Sequence, residues 1–162
     1  MSLITLIGID PGIVHTGAVM IKLDTLSLAW RVEYEIIEGT DPIKVTQFIK
    51  HRDPGDLAFV FVEAYRDRGT VFSTHNAMRT MEQNIKRLVP KAKILDNTGV
   101  KKVVTPALMK LFNVWSFKDK TNHEDLRSAA RIALYGGLKD DEINKALTAI
   151  VMQQLGKEPT NA

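Results

Sequence analysis

The chain has 162 residues, of which 44% are hydrophobic and 25% are charged, a composition that suits one soluble globular domain with a buried core. It contains no cysteine, which excludes disulfides and thiolate metal sites and leaves oxygen or imidazole ligands for any metal ion. The formal net charge of +3 permits nucleic-acid binding without indicating it. The first residues match neither a membrane-spanning helix nor a signal peptide, so we expect a cytoplasmic location.

Three β-strands are predicted at the start of the chain. The apolar residues 3–9 end at a Pro-Gly turn that begins with Asp10, and residues 16–23 form a second strand. A tight turn at Asp24 leads to residues 26–37, whose alternation of apolar and polar side chains is typical of a third strand. Strands joined by turns this short form an antiparallel meander.

Helices and strands alternate in the middle of the chain. Asp41 followed by Pro42 predicts a helix start, because aspartate caps a helix and proline fits its first turn. Residues 57–62 are continuously apolar, which is typical of a central strand buried on both faces. A helix from residue 73 or 74 to 88 and a short strand at 92–95 follow.

The last third of the chain is predicted to be mainly helical. A flexible basic loop at residues 98–102 precedes a helix that Thr105 caps. A helix over 123–135 ends at two glycines, and a last helix over 140–155 precedes a frayed tail at 156–162. The whole pattern predicts a mixed α/β sheet with helices on both faces.

Two carboxylates stand at the ends of predicted apolar strands. Asp10 follows the first strand, and Glu63 follows the buried run 57–62. Because strand ends in open sheets form ligand crevices, neighbouring strands would bring both carboxylates within reach of one hard cation. Either residue taken alone is as readily a turn aspartate or a surface glutamate.

A third acidic group opens the helix that begins at residue 123. Glu124 and Asp125 lie in its first turn beside His123, and small residues such as Ala129 follow, which lets the helix pack close to a sheet. Acids at a helix N-terminus also complement the helix dipole, so this group alone does not establish a ligand.

The three acidic segments together resemble the motifs of the RuvC family of Holliday-junction resolvases. Residues 8–12 (Gly-Ile-Asp-Pro-Gly) with Thr16 and Gly17 resemble the first motif, residues 60–63 the second, and residues 123–134 the closing helix. Related ribonuclease H-like nucleases and sugar-kinase or actin-like ATPases share a start like the first motif, but such an ATPase needs a second domain and further phosphate loops. The resemblance implies one ribonuclease H-like domain over residues 1–162, with a five-stranded sheet of an antiparallel meander and parallel strands.

The resemblance also implies a metal site for Mg²⁺, in which Mn²⁺ would substitute. Its ligands would be Asp10, Glu63 and Asp125. Serine is a poor ligand, yet Ser128 stands where the family usually has a further acid. The fourth ligand is therefore open among His123, Glu124 and Ser128, and His123 joins Asp125 only if it precedes the helix, because residues two apart on a helix point to different sides.

The implied reaction is hydrolysis of a phosphodiester to a 5′-phosphate and a 3′-hydroxyl. Two ions about 4 Å apart would activate a water and stabilise the leaving oxygen. Asp10 would bridge the ions, Glu63 and Asp125 would hold one each, and His123 would ligate an ion or help to deprotonate the water.

DNA-binding residues are predicted on two loops. In the resembled family a lysine near position 101 approaches the scissile phosphate, which favours Lys101 and Lys102. Arg66 and Arg68 lie on a loop after Glu63, where aromatic residues could stack on unpaired bases. Tyr65 and Phe72 are the aromatic candidates there.

The resemblance implies branched DNA and a second copy of the chain as partners, because a four-way junction has two-fold symmetry and needs two cuts. The predicted interface is the apolar stripe of the helix ending at residue 88, which consists of Met78, Met81, Ile85 and Leu88. Alternative hypotheses are a related nuclease that cuts forks, flaps or RNA–DNA hybrids, and a junction-binding protein with an impaired site. The compact chain and the missing acid also favour a bacteriophage member.

Overall fold

The computed structural model of the chain describes residues 3–39, 41–52, 58–65, 72–118 and 123–157. The strands are β1 (Leu3–Asp10), β2 (His15–Asp24), β3 (Trp30–Glu38), β4 (Ala58–Glu63) and β5 (Lys93–Leu95). The helices are α1 (Pro42–His51), α2 (Phe72–Leu88), α3 (Val100–Val103), α4 (Pro106–Leu111), α5 (His123–Leu138) and α6 (Asp141–Lys157).

The described strands form one five-stranded sheet in the order β3-β2-β1-β4-β5. β2 pairs antiparallel with β1 and with β3, whereas β4 pairs parallel with β1 and with β5. The predicted combination of an antiparallel meander with parallel strands is confirmed. β4 lies inside the sheet, which explains why its sequence is apolar on both faces.

Both faces of the sheet are covered by helices, and alternate side chains of β1 show why. Leu6 packs into a core with α4, α5 and α6, while Ile7 and Ile9 pack into a second core with α1 and α2. Because successive side chains of a strand point to opposite faces, Gly8 and Asp10 share the face of Leu6. This alternation places Asp10 on the side of the sheet that carries α5.

The two predicted helix caps are confirmed. The Asp41 side chain accepts a hydrogen bond of 2.9 Å from the Ile43 N–H at the start of α1. The Thr105 hydroxyl accepts one of 3.3 Å from the Leu108 N–H at the start of α4. Each cap satisfies a backbone donor that the first helical turn leaves without a partner.

β3 begins at Trp30, four residues later than the sequence predicts. The Asp24 carboxylate accepts hydrogen bonds from the N–H groups of Leu26 (2.9 Å) and Ser27 (3.3 Å), which closes a turn, and Leu28 has a φ of 60°. The connection is therefore longer than the expected tight turn, because a side-chain acceptor competes with strand pairing for these donors.

α5 continues through the two glycines that were predicted to end it. A Cβ at Gly136 would lie 2.4 Å from the Phe61 ring, and one at Gly137 would lie 2.9 Å from Leu6. These glycines allow close contact between helix and sheet rather than a helix end. Residues 100–103 form α3, where the sequence predicted a loop. Gly156 is helical within α6, where the sequence predicted the start of a frayed tail.

The predicted dimer stripe on α2 lies mainly inside the chain. Met78, Met81 and Ile85 are 5%, 2% and 1% exposed, and only Leu88 is exposed, at 41%. The prediction that this stripe forms an interface is wrong for the three buried side chains, because they already pack in the core of the chain.

None of the described helices combines the length and apolar character that crossing a bilayer requires.

Candidate functional site

Asp10 and Glu63 are brought together by the register of two parallel strands. Ile9 of β1 is opposite Val62 of β4, and Asp10 and Glu63 are the next residue of each strand. Phe61 belongs to the core on the α5 side, so Glu63, two residues later, points to that side as Asp10 does. The two carboxyl groups therefore lie at the same end of adjacent strands, near enough for the charge of Glu63 to raise the pKa of Asp10.

Asp125 joins this pair because α5 lies unusually close to the sheet. Gly17 of β2 is opposite Asp10, and a Cβ on Gly17 would lie 2.3 Å from the backbone oxygen of Asp125. A Cβ on Gly8 would lie 1.8 Å from the backbone oxygen of Ala129, one helical turn further along. Because neither glycine has a side chain, the backbone of α5 can lie against the sheet, and the first turn of the helix reaches the end of β1.

The electrostatics of the site are those of crowded carboxylates. Burial is the largest cause that raises the pKa of Asp10, followed by the charge of Glu63 and its hydrogen bond, with smaller effects of Asp125 and Glu124. Together they raise the pKa of Asp10 from 3.8 to about 9. The pKa of Asp125 is raised by burial and by Glu124, and His15 opposes that shift.

Asn97 is a site residue that the sequence reasoning missed. Its side-chain amide donates a hydrogen bond to Glu63 Oε1. Glu63 is opposite Leu95 in the β4–β5 pairing, and Asn97 follows two residues after Leu95. The strand-end argument that selected Asp10 and Glu63 therefore also applies to Asn97, which follows the short strand predicted at residues 92–95.

Comparison with known proteins gives matches among structures only. No protein-family model and no curated protein sequence matches the chain. A structure of T. thermophilus RuvC in complex with a Holliday junction substrate has a TM-score of 0.59 and 15% identity, covering 81% of this chain and 90% of that chain. A structure of Thermus thermophilus RuvC has a TM-score of 0.57 and 16% identity, covering 81% and 92%.

The chain has a RuvC-like fold. The similarity confirms the fold that the sequence motifs predicted, including the five-stranded sheet with helices on both faces. At this level of identity it concerns the fold and leaves the roles of individual residues to the geometry of the site.

Within this RuvC-like fold, His123 is directed toward a different neighbour from the acids. It is the first residue of α5, and its ring packs edge to face on Phe117 with a centroid distance of 6.0 Å. It is therefore on the helix rather than before it, and none of the charges that shift the pKa of Asp10 or Asp125 belongs to it. His15, at the start of β2, is the histidine that interacts with Asp125.

The other two candidates for a fourth ligand have separate surroundings. Glu124 is 66% exposed and forms ion pairs of 3.4 Å with Arg127 and with Arg131 of the same helix. Ser128 lines a pocket beside Glu63 that also contains Arg131. Glu124 contributes negative charge to the site, but its carboxylate already has two cationic partners.

The DNA-binding candidates divide between that pocket and the loop after Glu63. Lys101 and Lys102 are exposed on α3 and line the pocket together with Glu63. Tyr65 is half-buried, and its backbone N–H donates to the Glu82 side chain of α2. Arg66, Arg68 and the Phe72 side chain lie outside the described part of the chain.

A divalent cation fits the Asp10–Glu63 pair in charge and in donor type. The charge of Glu63 is one of the causes that raise the pKa of Asp10, and a cation bound between the two groups would relieve this repulsion. Carboxylate oxygens are also the donors that suit Mg²⁺. In the described residues no three acidic or histidine side chains converge tightly enough to hold one ion. Mg²⁺ is commonly bound by one or two carboxylates with waters and substrate phosphates, so the pair meets its needs with Asp125 in electrostatic range.

Proposed function

We propose that this chain is a Mg²⁺-dependent endonuclease that cleaves Holliday junctions or related branched DNA. The observation that carries the proposal is the placement of Asp10 and Glu63 at the same end of adjacent parallel strands, with Asp125 of α5 in electrostatic range. A second support is the similarity to T. thermophilus RuvC, whose structure is in complex with a Holliday junction substrate.

The chain's own residues would bind and orient the reacting groups. Asp10 and Glu63 would hold the cation, Asn97 would fix the direction of the Glu63 carboxylate, and Asp125 would add negative charge from α5. The bound ion would supply an activated water and neutralise charge on the phosphodiester. Two ions per chain, Mn²⁺ in place of Mg²⁺, and the 5′-phosphate and 3′-hydroxyl products belong to the proposal as well.

The test is cleavage of a synthetic four-way junction in Mg²⁺ or Mn²⁺ by the wild-type chain and by Asp10→Asn. We expect cleavage by the wild type and none by Asp10→Asn, with junction binding retained by both. Equal cleavage by the two proteins would overturn the proposal. A panel of forks, flaps and RNA–DNA hybrids in the same assay measures the substrate preference, and sedimentation on junction DNA tests the proposed homodimer.

A junction-binding protein without nuclease activity is the second candidate. Two observations favour it: Ser128 lines the pocket beside Glu63, where the motif usually has an acid, and the described acids form no three-ligand cluster. Junction binding without cleavage by the wild type in both Mg²⁺ and Mn²⁺ would select this candidate.

A further inference from the structure

A pocket of about 390 Å³ opens beside Glu63, between the segment after β5 and the residues Ser128, Arg131 and Ile132 of α5. Its polar lining combines one carboxylate with three cations and several hydrogen-bond donors. The charged lining residues are Glu63, Lys101, Lys102 and Arg131. Three cations against one carboxylate make the pocket suitable for an anion, and its volume is within the range of small-molecule sites.

Arg131 is the unusual member of this lining. It is only 8% exposed, whereas Lys101 and Lys102 are exposed on α3. A guanidinium has five N–H donors in a fixed planar arrangement. Within the described residues, its hydrogen-bond partner is Glu124, at 3.4 Å from Nη1 to Oε1, and Glu124 is itself 66% exposed. This long contact leaves most of the donors for another ligand.

The position of Arg131 is fixed by the helix that also positions Asp125. Ala129, Ala130 and Ile132 around it are buried in the core, which fixes the backbone position from which the arginine side chain projects. Its planar fork matches the paired oxygens of a phosphate. Ser128 is one turn earlier on α5 and adds a hydroxyl donor to the same pocket.

We propose that Arg131, with Lys101 and Lys102, binds a backbone phosphate of the DNA next to the phosphodiester that the cation at Asp10 and Glu63 would bind. This inference rests on the proposed function for the identity of the ligand as DNA. Arg131 is the rigid anchor of the pocket, and the two lysines contribute exposed charge that follows the strand. The alternative role of Arg131 is structural: it would only hold Glu124.

The test is junction binding by the full-length chain in EDTA, measured between 50 and 200 mM salt. Losing one phosphate contact lowers the salt slope by about 1, so the change in Kd over this range should shrink about three- to fourfold for Arg131→Gln. Arg131→Lys should keep most of the slope. Lys145→Gln removes an equal charge from α6, where Lys145 is 74% exposed, and should match the wild type.

Glu124→Gln separates phosphate binding from a structural role. If Arg131 binds phosphate, losing its partner Glu124 leaves the salt slope intact or raises it, because the guanidinium is freed. If Arg131 only holds Glu124, then Glu124→Gln reproduces the loss seen with Arg131→Gln. The same loss in both variants, or an unchanged slope in Arg131→Gln, overturns the inference.

A second measurement keeps the inference independent of the nuclease activity. Inorganic phosphate is titrated into the wild-type chain while the Arg131 Nε–H resonance is followed by NMR, with Arg127 as the internal control because its Nε donates to the Trp115 carbonyl at 2.7 Å. We expect a saturable shift of Arg131 alone. Junction binding without cleavage would contradict the proposed nuclease activity but not phosphate binding by Arg131. If the Arg131 resonance does not shift, phosphate binding in this pocket is contradicted.

Discussion

The backbone carbonyl of Asp125 occupies the space that a side chain on Gly17 would need, since a Cβ there would lie 2.3 Å from the oxygen. Gly17 is also the β2 residue opposite Asp10. This close approach, together with that of Gly8 to Ala129, sets the depth of α5 on the sheet and the separation of Asp125 from Asp10. The site depends on this glycine as directly as on its acids.

Gly17→Ala should impair the site and the fold together. The added methyl must displace the backbone of α5, which typically costs about 1–3 kcal/mol, and Asp125 must move away from Asp10. We expect a lower Tm and a loss of junction cleavage larger than the loss of folded protein. Thermal unfolding and cleavage rates of purified protein measure the two effects.

Gly156→Ala is the matched control for this substitution. Gly156 lies in α6 with open space around its Cβ position, and alanine favours a helix over glycine by about 0.5–1 kcal/mol. It should leave Tm and cleavage equal or slightly improved. Wild-type cleavage by Gly17→Ala would show that Asp125 need not stay at this depth.

The sequence was sufficient for the parts of the fold that local chemistry determines. Asp41 and Thr105 form the predicted caps, and the alternation of β1 and the apolar β4 place Asp10 and Glu63 on their strands. The sequence was insufficient where contacts between segments far apart in the chain determine the structure. Gly136 stays helical because Phe61 lies against it, and Met81 is buried because α2 covers the sheet.

The same difference between local patterns and distant contacts explains which site residues could be predicted from the sequence. Asp10 and Glu63 were found because each ends a recognisable strand, and the parallel pairing of β1 with β4 brings these two strand ends together. The direction of His123 depends on Phe117, and the pocket position of Arg131 depends on α3, neither of which a periodicity can reveal. Asn97 was within reach of the strand-end rule but follows a strand of three residues.

Asp10→Asn should stabilise the metal-free chain at neutral and alkaline pH. Below about pH 4 the carboxyl is protonated in both folded and unfolded chains. Above its ordinary pKa of 3.8 the unfolded chain releases the proton while the folded chain keeps it, so stability falls with rising pH until the folded pKa of about 9. Asparagine has no proton to release in this range, so Asp10→Asn should not lose stability in this way as the pH rises.

The measurement is Tm in EDTA at pH 5, 7 and 8.5. We expect the advantage of Asp10→Asn to grow with pH and to exceed about 1 kcal/mol at pH 8.5, or roughly 2–4 °C for a chain of this size. Added Mg²⁺ should raise the Tm of the wild type only. Glu142→Gln, which removes an 81% exposed carboxylate, is the control, and a pH-independent difference would contradict the raised pKa of Asp10.

Asn97→Ala should weaken metal binding without changing the ligands. The amide of Asn97 donates to Glu63, and losing a partner of this kind typically costs about 10–100-fold in metal affinity or activity. Mn²⁺ titration and cleavage rates at saturating metal measure the two quantities. Gln83→Ala removes an exposed amide from α2 and should have no effect. Equal metal affinity of Asn97→Ala and wild type would show that Glu63 needs no orienting partner.

Asp125→Asn and His123→Ala should have unequal effects on cleavage. Asp125 lies in electrostatic range of Asp10, whereas the His123 ring packs on Phe117. We expect Asp125→Asn to lower the cleavage rate by about 10–100-fold, the range for losing a group that supports the ligands of a metal ion. His123→Ala should stay within a few fold of the wild type and show a modest loss of stability from the lost ring contact. Cleavage at several Mn²⁺ concentrations distinguishes the two variants, because the effect of a lost ligand is partly rescued by more metal.

The prediction is contradicted if His123→Ala shows the larger defect and added metal rescues it. His123 would then be the fourth ligand, as the sequence motif allowed. In that case α5 must open at its first turn to let the His123 side chain reach the ion.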